Sequence, residues 1–176
     1  KSYKFVNNSI ILSLIGFIVK FIYFFSDLIL VQSKGFIQSI NRYSKNKKII
    51  FYPNSIVDIK EISQSKNQLS NDLLNKFKKY KCFVFAGNLG DVQSLETLVN
   101  TCKNLEKYHE FRMVLVGTGS RINWLKEEIK KKKISNLIIA GPFDLNNMAY
   151  IYDLADSLII TLNADSHFSK TIPSKL

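Results

Sequence analysis

The stretch that decides the fold runs from Cys82 to Gln93 and reads CFVFAGNLGDVQ. Its first half is a short apolar run of β-forming residues, and its second half is a glycine turn that leads into a segment with helical spacing. A strand that ends in a glycine turn before a helix is the repeating unit of parallel α/β sheets. Ligands of such sheets bind outside the carboxyl ends of the strands, where these turns lie.

The same unit recurs along the rest of the chain. The helices between the strands are expected at about Gln93–Asn104 and from Ile122 into Lys130–Lys133. The sequence therefore predicts an α/β fold with a Rossmann-like parallel sheet and flanking helices. The predicted strands are Cys82–Gly87, Phe111–Gly117, Asn136–Gly141 and Asp156–Leu162.

A further strand–helix–strand unit precedes this sheet. Leu28–Val31 is expected to be a short, fully buried strand, a helix follows through about Arg42, and Ile49–Tyr52 is the next strand. The chain then turns polar, and a short helix capped by Ser70 or Asn71 is expected before the main sheet. We therefore interpret residues 1–55 as one domain, residues 56–80 as a linker with a leading helix, and residues 81–176 as a second domain.

The segment Ile10–Phe25 is almost continuously apolar, with Lys20 near its centre. A bilayer span needs about 20 apolar residues, and a central lysine costs about 2.5–3.5 kcal/mol on insertion. A helix lying partly in the core and partly in a membrane interface is the preferred interpretation, ahead of a buried core helix and of a transmembrane span. Lys1, Lys4, Lys20 and Lys34 agree with an interfacial site, because their stems can snorkel.

The formal net charge of +11 indicates an anionic partner. Lysine dominates, and arginine occurs only at Arg42, Arg112 and Arg121, so an anionic membrane surface is favoured and no nucleic-acid partner is expected. A coding bias toward lysine is the alternative explanation. Cys82 and Cys102 lack metal-ligand spacing and are expected to be buried free thiols in a reducing compartment.

The first candidate ligand site is the turn Gly87-Asn88-Leu89-Gly90. Glycines let backbone N–H groups approach an anion, and the following helix N-terminus favours negative charge, so a diphosphate is a natural occupant. Alternatively, Asp91 or Ser94 caps that helix and the turn has no ligand role. The turn is neither the dinucleotide fingerprint nor a P-loop.

The other candidates follow the second and third strands. Gly117 and Gly119 repeat the turn, and Gly141-Pro142-Phe143 could receive a nucleotide base; tight turns and a packed phenylalanine are the alternatives. His109 and His167 have no partner at a recognisable spacing. Serine-hydrolase and zinc patterns are missing from the sequence, so no metal is expected and the catalytic residues are unknown.

Taken in order, six motifs resemble a known family. The chain resembles the group 1 (family 4) glycosyltransferases of the two-Rossmann-domain GT-B fold, and within them the bacterial capsule, O-antigen and colanic-acid branch with its AGNLG…Q loop and PSK motif. The resemblance begins at about Asp27. The motifs are Pro53-Asn54, the stretch from Phe85 to Gln93, Val116-Gly117-Thr118-Gly119, Gly141-Pro142, Ala155-Asp156 and the stretch from Thr171 to Leu176.

The resemblance implies roles for the domains and for particular residues. Residues 1–55 would be the C-terminal part of the acceptor-side domain, and residues 81–176 part of the nucleotide-sugar domain. Lys175 would supply a counter-charge to the phosphates. The implied donor contacts are Gly87, Asn88, Leu89, Gly90 and Gln93 at the diphosphate or sugar, Gly117 and Gly119 in the nucleotide cleft, Gly141, Pro142 and Phe143 near the base, and Pro173, Ser174 and Lys175 at the sugar and phosphates.

The resemblance also implies a reaction and a setting. The substrate would be a nucleotide-diphosphate-sugar, used without a cofactor and transferred with retention of configuration to a lipid-linked or saccharide acceptor. The protein would act in the cytoplasm, peripherally on the inner membrane. Asn88 and Gln93 stand where many relatives have Arg and Lys, and the first Glu of the family's Glu-x7-Glu element is not seen. The second Glu of that element would lie beyond Leu176 and the acceptor-side domain is mostly absent, so we expect a fragment that is inactive alone.

Two other functions compete with this interpretation. A non-catalytic Rossmann-like module that docks to membranes or partner proteins would use its glycines only for turns. A sugar-nucleotide epimerase has a similar two-domain build and would need a catalytic cluster of Asp, Glu or His side chains.

Overall fold

The structure, a computed structural model, describes residues 8–44, 47–54, 69–164 and 168–172. The chain divides into two compact units, the first comprising Lys1–Ser55 with Ala164–Leu176 and the second Ile56–Asn163. The first boundary falls where the sequence turns polar. The C-terminal segment groups with the first unit, whereas the sequence interpretation kept it with residues 81–176. In the first unit, Lys170 Nζ donates to Ser39 Oγ at 3.3 Å.

The first unit contains a two-stranded parallel sheet in which Ile29 lies opposite Ile49. The prediction that the first strand is fully buried is wrong. Ile29 and Val31 are buried, but Leu28 and Leu30 are exposed, because the side chains of a strand alternate between its faces and only one face is covered here. The elements are α1 (Ser9–Phe25), β1 (Leu28–Val31), a 3-10 turn (Lys34–Phe36), α2 (Ile37–Ser44), β2 (Lys48–Phe51) and a 3-10 turn (Phe168–Lys170).

Helix α1 is apolar on all sides and has no buried residue. Asn8 caps its start, since Asn8 Oδ1 accepts from Ile10 N–H at 2.9 Å, and Ser26 Oγ donates to Ile22 O at 2.8 Å near its end. Phe17 is 67% exposed. In the described part of the chain no helix combines the length and the apolar character needed to span a bilayer.

The second unit confirms the predicted α/β fold. Its four strands are parallel, in the order β5-β4-β3-β6. Ser70 caps the leading helix as expected, because its Oγ accepts from Leu73 N–H at 3.2 Å. The elements are α3 (Asn71–Lys79), β3 (Lys81–Ala86), a 3-10 turn (Asp91–Gln93), α4 (Leu95–Asn104), β4 (Phe111–Val116), α5 (Ile122–Lys132), β5 (Leu137–Gly141), α6 (Leu145–Leu154) and β6 (Ser157–Leu158).

The last strand is shorter than predicted. The run Asp156–Leu162 was expected to be a strand, but only Ser157 and Leu158 pair, opposite Phe83 and Val84 of β3. Ile159 N–H still donates to Val84 O at 2.8 Å, and beyond it the chain bonds to the loop after β3 instead of continuing the sheet. The apolar pattern indicated an extended segment, but it did not show that the hydrogen bonds of this segment leave the sheet after Ile159.

Helices cover both faces of this sheet. Alternate residues of β3 point to opposite sides, with Phe85 in the core formed with α4 and α5, and Val84 in the core formed with α3 and α6. Cys82 and Cys102 are buried free thiols, as predicted. Burial raises the pKa of Cys82 to about 11 and that of Cys102 to about 12. Both thiols are therefore protonated and unreactive near neutral pH.

Candidate functional site

The strand order creates a switch point in the sheet of the second unit. From β3 the chain moves outward to β4 and β5, and it then returns to the other side of β3 as β6. The loops that follow β3 and β6 therefore leave neighbouring strands at the carboxyl edge of the sheet, which is where ligands of such folds bind. Residues 87–93 and 159–163 form these two loops.

Hydrogen bonds tie the two loops together. Thr161 Oγ1 donates to Gln93 O at 2.6 Å, Asn163 N–H donates to Val92 O at 2.8 Å, and Asn163 Nδ2 donates to Asp91 O at 2.5 Å. The sequence reasoning missed Thr161 and Asn163. Their position just after the last strand at the switch point is the signal that could have identified them.

The predicted glycine turns lie side by side along this edge. Gly87 N–H donates to Val116 O, Leu89 N–H to Thr118 O and Gly117 N–H to Gly141 O, each at 2.8 Å. The structure thus brings the turns after β3, β4 and β5 together, as the sequence predicted. The N–H groups of Gly87, Leu89 and Gly117 are already engaged within the protein.

Steric contact between the first two turns explains two of the glycines. A Cβ on Gly117 would lie 2.0 Å from Gly87 O, and a Cβ on Gly119 would lie 2.4 Å from Leu89 O. Gly117 has a φ of +135°, which side-chain-bearing residues rarely adopt. Close packing of one turn on the next is therefore sufficient to require glycine at both positions, whether or not a ligand binds.

The other residues of the first turn have distinct positions. The side chain of Leu89 is fully buried in the core, so it can offer a ligand only its backbone. Asn88 is exposed, and its side-chain amide fills the space beside Gly90 and Gly119, where added Cβ atoms would lie 2.9 Å from Nδ2 and 2.6 Å from Oδ1. Gln93 is half-buried. Asn88 is therefore the predicted side chain that reaches both turns.

Arg121 is a cation that the sequence reasoning did not select. Its N–H donates to Leu89 O at 3.0 Å, and its guanidinium reaches Asp91 Oδ1 at 3.1 Å and Glu96 Oε1 at 2.7 Å while stacking on Trp124. Burial opposes the charge, but the hydrogen bonds that the guanidinium donates to Glu96 and Asp91 prevail and raise the pKa of Arg121. Its place two residues after the second glycine turn was the available signal.

The alternative in which the side chain of Ser94 caps α4 is not realised. The Asp91 carboxylate pairs with Arg121, and Ser94 precedes the helix in the left-handed region, at φ 47°, without a side-chain cap bond. Ser94 Oγ instead lies 2.8 Å from Thr97 Oγ1. Glu96 in the first turn of α4 places a negative charge near the helix N-terminus, where it is favourable.

The third turn is partly packed and partly open. Phe143 packs against the core formed with α3 and α6, as the alternative interpretation expected, and Pro142 is exposed. Gly141 has a φ of +82°, and a Cβ there would meet nothing within 4 Å. The predicted contacts Pro173, Ser174 and Lys175 lie outside the described residues, as does His167, so their roles remain predictions.

A groove of about 420 Å³ lies at the amino ends of the strands. Its charged side chains hold the sheet together. There Asp156 Oδ1 accepts from Lys81 Nζ at 2.9 Å, and Asp156 Oδ2 accepts from Cys82 N–H at 2.8 Å. These hydrogen bonds lower the pKa of Asp156 and hold β6 against β3. Across the described ranges, no three His, Cys, Asp or Glu side chains come together as a metal site would require.

Comparison with known proteins identifies the fold. No protein-family model matches the chain. A glycosyltransferase of Methanocaldococcus jannaschii, described as uncharacterized, is 31% identical over 122 residues, covering 66% of this chain and 30% of that protein. The chain thus spans about a third of the length of this relative.

Two solved structures share the fold at low sequence identity. Anabaena HepE in complex with UDP has a TM-score of 0.59 and 14% identity, over 80% of this chain and 39% of HepE. Trehalose-6-phosphate synthase OtsA has a TM-score of 0.61 and 18% identity, over 77% of this chain and 39% of OtsA. The fold is that of the GT-B glycosyltransferases.

Proposed function

We propose that this chain is part of a nucleotide-sugar glycosyltransferase and that the unit Ile56–Asn163 holds part of its donor site. The observation that carries the proposal is the pair of bonded loops at the switch point, after β3 and β6, beside the glycine turns after β4 and β5 on the same edge. The identity to a glycosyltransferase and the fold shared with a UDP-bound protein support it.

The donor diphosphate binds, in this proposal, over the turn after β3. Among the described residues, the N–H groups of Asn88 and Gly90 donate to no protein acceptor, so they are free to donate to phosphate oxygens. The nearby charge of Arg121 is already offset by Asp91 and Glu96. Neutralisation must therefore come from elsewhere, and Lys175 is our candidate for it.

The finer features of the proposal come from the family resemblance. We assign the protein to the group 1 (family 4) glycosyltransferases, with retention of configuration, hexosyl or hexosaminyl transfer and no cofactor. The acceptor is lipid-linked or a saccharide in cell-surface glycan synthesis of the capsule or O-antigen type. Peripheral binding to the anionic inner membrane from the cytoplasm agrees with the exposed apolar helix α1 and the net charge of +11.

Calorimetry on the full-length protein tests the donor site. We expect UDP or GDP to bind, and Gln93→Ala or Lys175→Ala to weaken binding by about tenfold, the effect of losing one good polar contact. Gln38→Ala and Lys131→Ala are matched controls, since both residues are exposed and lie outside the proposed site. Unchanged affinity in both test variants would contradict the placement of the donor.

The same preparation separates the two competing functions. Flotation with anionic liposomes and no response to any nucleotide would favour a docking module. Interconversion of a sugar-nucleotide with its epimer, without an acceptor, would favour an epimerase. Acceptor-dependent release of nucleoside diphosphate is the outcome that we expect.

A further inference from the structure

Arg121 lies at the junction between the turn after β4 and helix α5. It is the N-cap residue of α5, and its carbonyl oxygen accepts from the N–H of the fully buried Leu125 at 2.9 Å. Its own N–H donates to Leu89 O, in the turn after β3, at 3.0 Å. The backbone of Arg121 is thus part of one turn and is bonded to the neighbouring turn.

The orientation of the Arg121 guanidinium is fixed within the protein. It stacks on the ring of Trp124 at 4.0 Å from the centroid, and Trp124 in turn packs against the core formed with α4 and α5. The side chain of Arg121 is only 20% exposed. A planar guanidinium that is stacked on a ring presents its N–H groups as a rigid fork. The direction of those N–H groups is therefore set by the fold.

The guanidinium contacts two carboxylates on the segment after β3. Arg121 Nη1 lies 3.1 Å from Asp91 Oδ1, and Nη2 lies 2.7 Å from Glu96 Oε1. Asp91 begins the 3-10 turn and Glu96 lies in the first turn of α4, with Ser94 between them in the left-handed region at φ 47°. One side chain thus joins the two sides of the bend that leads into α4.

These contacts lie on both sides of Gly90. The residue before it, Leu89, accepts from the backbone of Arg121, and the residue after it, Asp91, accepts from the guanidinium. Glycine has more backbone freedom than any other residue, so the direction of its N–H depends on how firmly its neighbours are held. The Gly90 N–H is one of the two that we assign to the donor phosphate. A group that already points at its ligand binds more tightly, because less conformational freedom is lost on binding.

The charge of this cluster argues against a role for Arg121 as a counter-charge to the phosphates. One guanidinium lies between the carboxylates of Asp91 and Glu96, so the cluster carries an excess of negative charge. A guanidinium that is already paired with two carboxylates has little net attraction left for a diphosphate. What Arg121 contributes to donor binding is therefore geometry.

We infer that Arg121 is a positioning residue for the donor diphosphate. It holds the turn after β3, through Leu89, Asp91 and Glu96, in the arrangement in which the N–H groups of that turn meet phosphate. This inference rests on the proposed glycosyltransferase function, because the arrangement of the turn matters to the reaction only if a diphosphate binds there. It adds to that function a residue that acts without touching the substrate.

Calorimetry with UDP and GDP on the full-length protein tests the inference. Arg121→Lys keeps the positive charge but loses the planar fork and the stack, and we expect it to weaken nucleotide binding by about tenfold, as much as Arg121→Gln does. Lys132→Gln is the matched control. Lys132 is also a cation of α5 that reaches α4, with Nζ 3.1 Å from Glu128 Oε2 and 3.0 Å from Asn100 Oδ1, but it lies at the other end of α5. Its substitution should leave the nucleotide affinity unchanged.

Glu96→Ala separates positioning from simple electrostatics by the sign of its effect. The substitution removes a negative charge near the proposed phosphate position and releases one side of the Arg121 guanidinium. If charge alone mattered, both changes would tighten UDP binding. Positioning predicts the reverse, a loss of about three- to tenfold in affinity, because the turn is no longer held on the side of α4. Glu127→Ala, at an exposed carboxylate of α5, is the control and should not change the affinity.

Amide hydrogen exchange without nucleotide gives a readout that does not depend on donor binding. The Leu89 N–H donates to Thr118 O at 2.8 Å. It should exchange about tenfold faster in Arg121→Lys than in the wild-type chain, and at the wild-type rate in Lys132→Gln. A general loss of stability would instead raise the exchange rates of the strands as well.

The outcomes distinguish this inference from the proposed function. Wild-type affinity in Arg121→Lys, tighter binding in Glu96→Ala or an unchanged exchange rate at Leu89 overturns the inference and leaves the donor site in place. Equal losses of affinity in Arg121→Lys and Lys132→Gln overturn it too, since any contact between α4 and α5 would then have the same effect. If the wild-type chain binds neither UDP nor GDP, the proposed function fails, and the role of Arg121 toward the donor fails with it.

Discussion

The carbonyl oxygen of Gly87 occupies the space that a side chain on Gly117 would need. A Cβ on Gly117 would lie 2.0 Å from this oxygen, while the N–H of Gly87 donates to Val116 O on the same turn. The turns after β3 and β4 thus contact each other through backbone atoms, without side chains between them, at the carboxyl edge of the sheet. This contact holds the turn after β3 in place beside the turn after β4.

Gly117→Ala should lower the free energy of unfolding by at least about 2 kcal/mol, because it combines a positive-φ conformation with a backbone clash. The measurement is chemical denaturation of both proteins. Gly141→Ala is the matched control, since it has a φ of +82° but a Cβ that meets nothing within 4 Å. We expect it to cost about 1–2 kcal/mol. An equal loss of unfolding free energy in the two variants would show that the backbone clash at Gly117 contributes nothing to the destabilisation.

Thr161→Val should weaken the contact between the loops that follow β3 and β6. The substitution keeps the shape of the side chain but removes the hydroxyl that donates to Gln93 O at 2.6 Å, at a cost of about 1 kcal/mol. Nucleotide affinity should fall as well, because Gln93 loses its anchor. Thr101→Val on α4 is the control, since no described side-chain bond is lost there. A normal nucleotide affinity in Thr161→Val would argue against coupling of the two loops.

Lys133→Gly should stabilise the protein. Lys133 ends α5 in the left-handed region, at φ 52°, and is exposed, so glycine relieves about 1 kcal/mol of backbone strain. Lys131→Gly should destabilise the protein instead, because glycine inside a helix costs about 1 kcal/mol. Thermal unfolding of the two variants should therefore move in opposite directions. A shift in the same direction would contradict the assigned end of α5.

Alkaline pH should weaken the fold through the two buried thiols. Burial raises the pKa of Cys82 to about 11 and that of Cys102 to about 12, above the value of about 8.5 expected in the unfolded chain. Their contribution to stability is therefore complete below about pH 8.5 and is lost as the pH rises toward 11 and 12.

Urea unfolding at pH 8 and pH 10 measures this effect against the double variant Cys82→Ala and Cys102→Ala. The free energy of unfolding should fall more steeply with pH in the wild-type chain, since the variant lacks both titrating groups. Identical slopes would show that the thiols ionise normally. Modification by a thiol reagent at pH 8 should also be slow until the chain is unfolded.

Local patterns in the sequence were enough for much of the fold. The strands β3, β4 and β5 lie within a residue or two of their predicted bounds, and Ser70 caps α3 as expected. These features depend on neighbours in the chain, namely on apolar runs, glycine turns and a capping side chain. The edge that collects the glycine turns followed from them, because parallel strands end at one edge.

Other features depend on partners far away in the chain. The exposed face of β1, the early end of β6 and the bonds of Thr161 could not be inferred, since a pattern does not say which distant group accepts a hydrogen bond or covers a face. Arg121 is the same case, because its two carboxylates and its ring come together only in the folded unit.

The amino-acid sequence by itself determined that this protein builds a parallel α/β sheet with its glycine turns on one edge, because those signals are local. Only the tertiary structure decided which backbone groups of that edge are already engaged, and that Arg121 meets Asp91, Glu96 and the ring of Trp124. The physical reason is that hydrogen bonding and burial are satisfied by whichever groups the fold brings into contact, regardless of their distance along the chain.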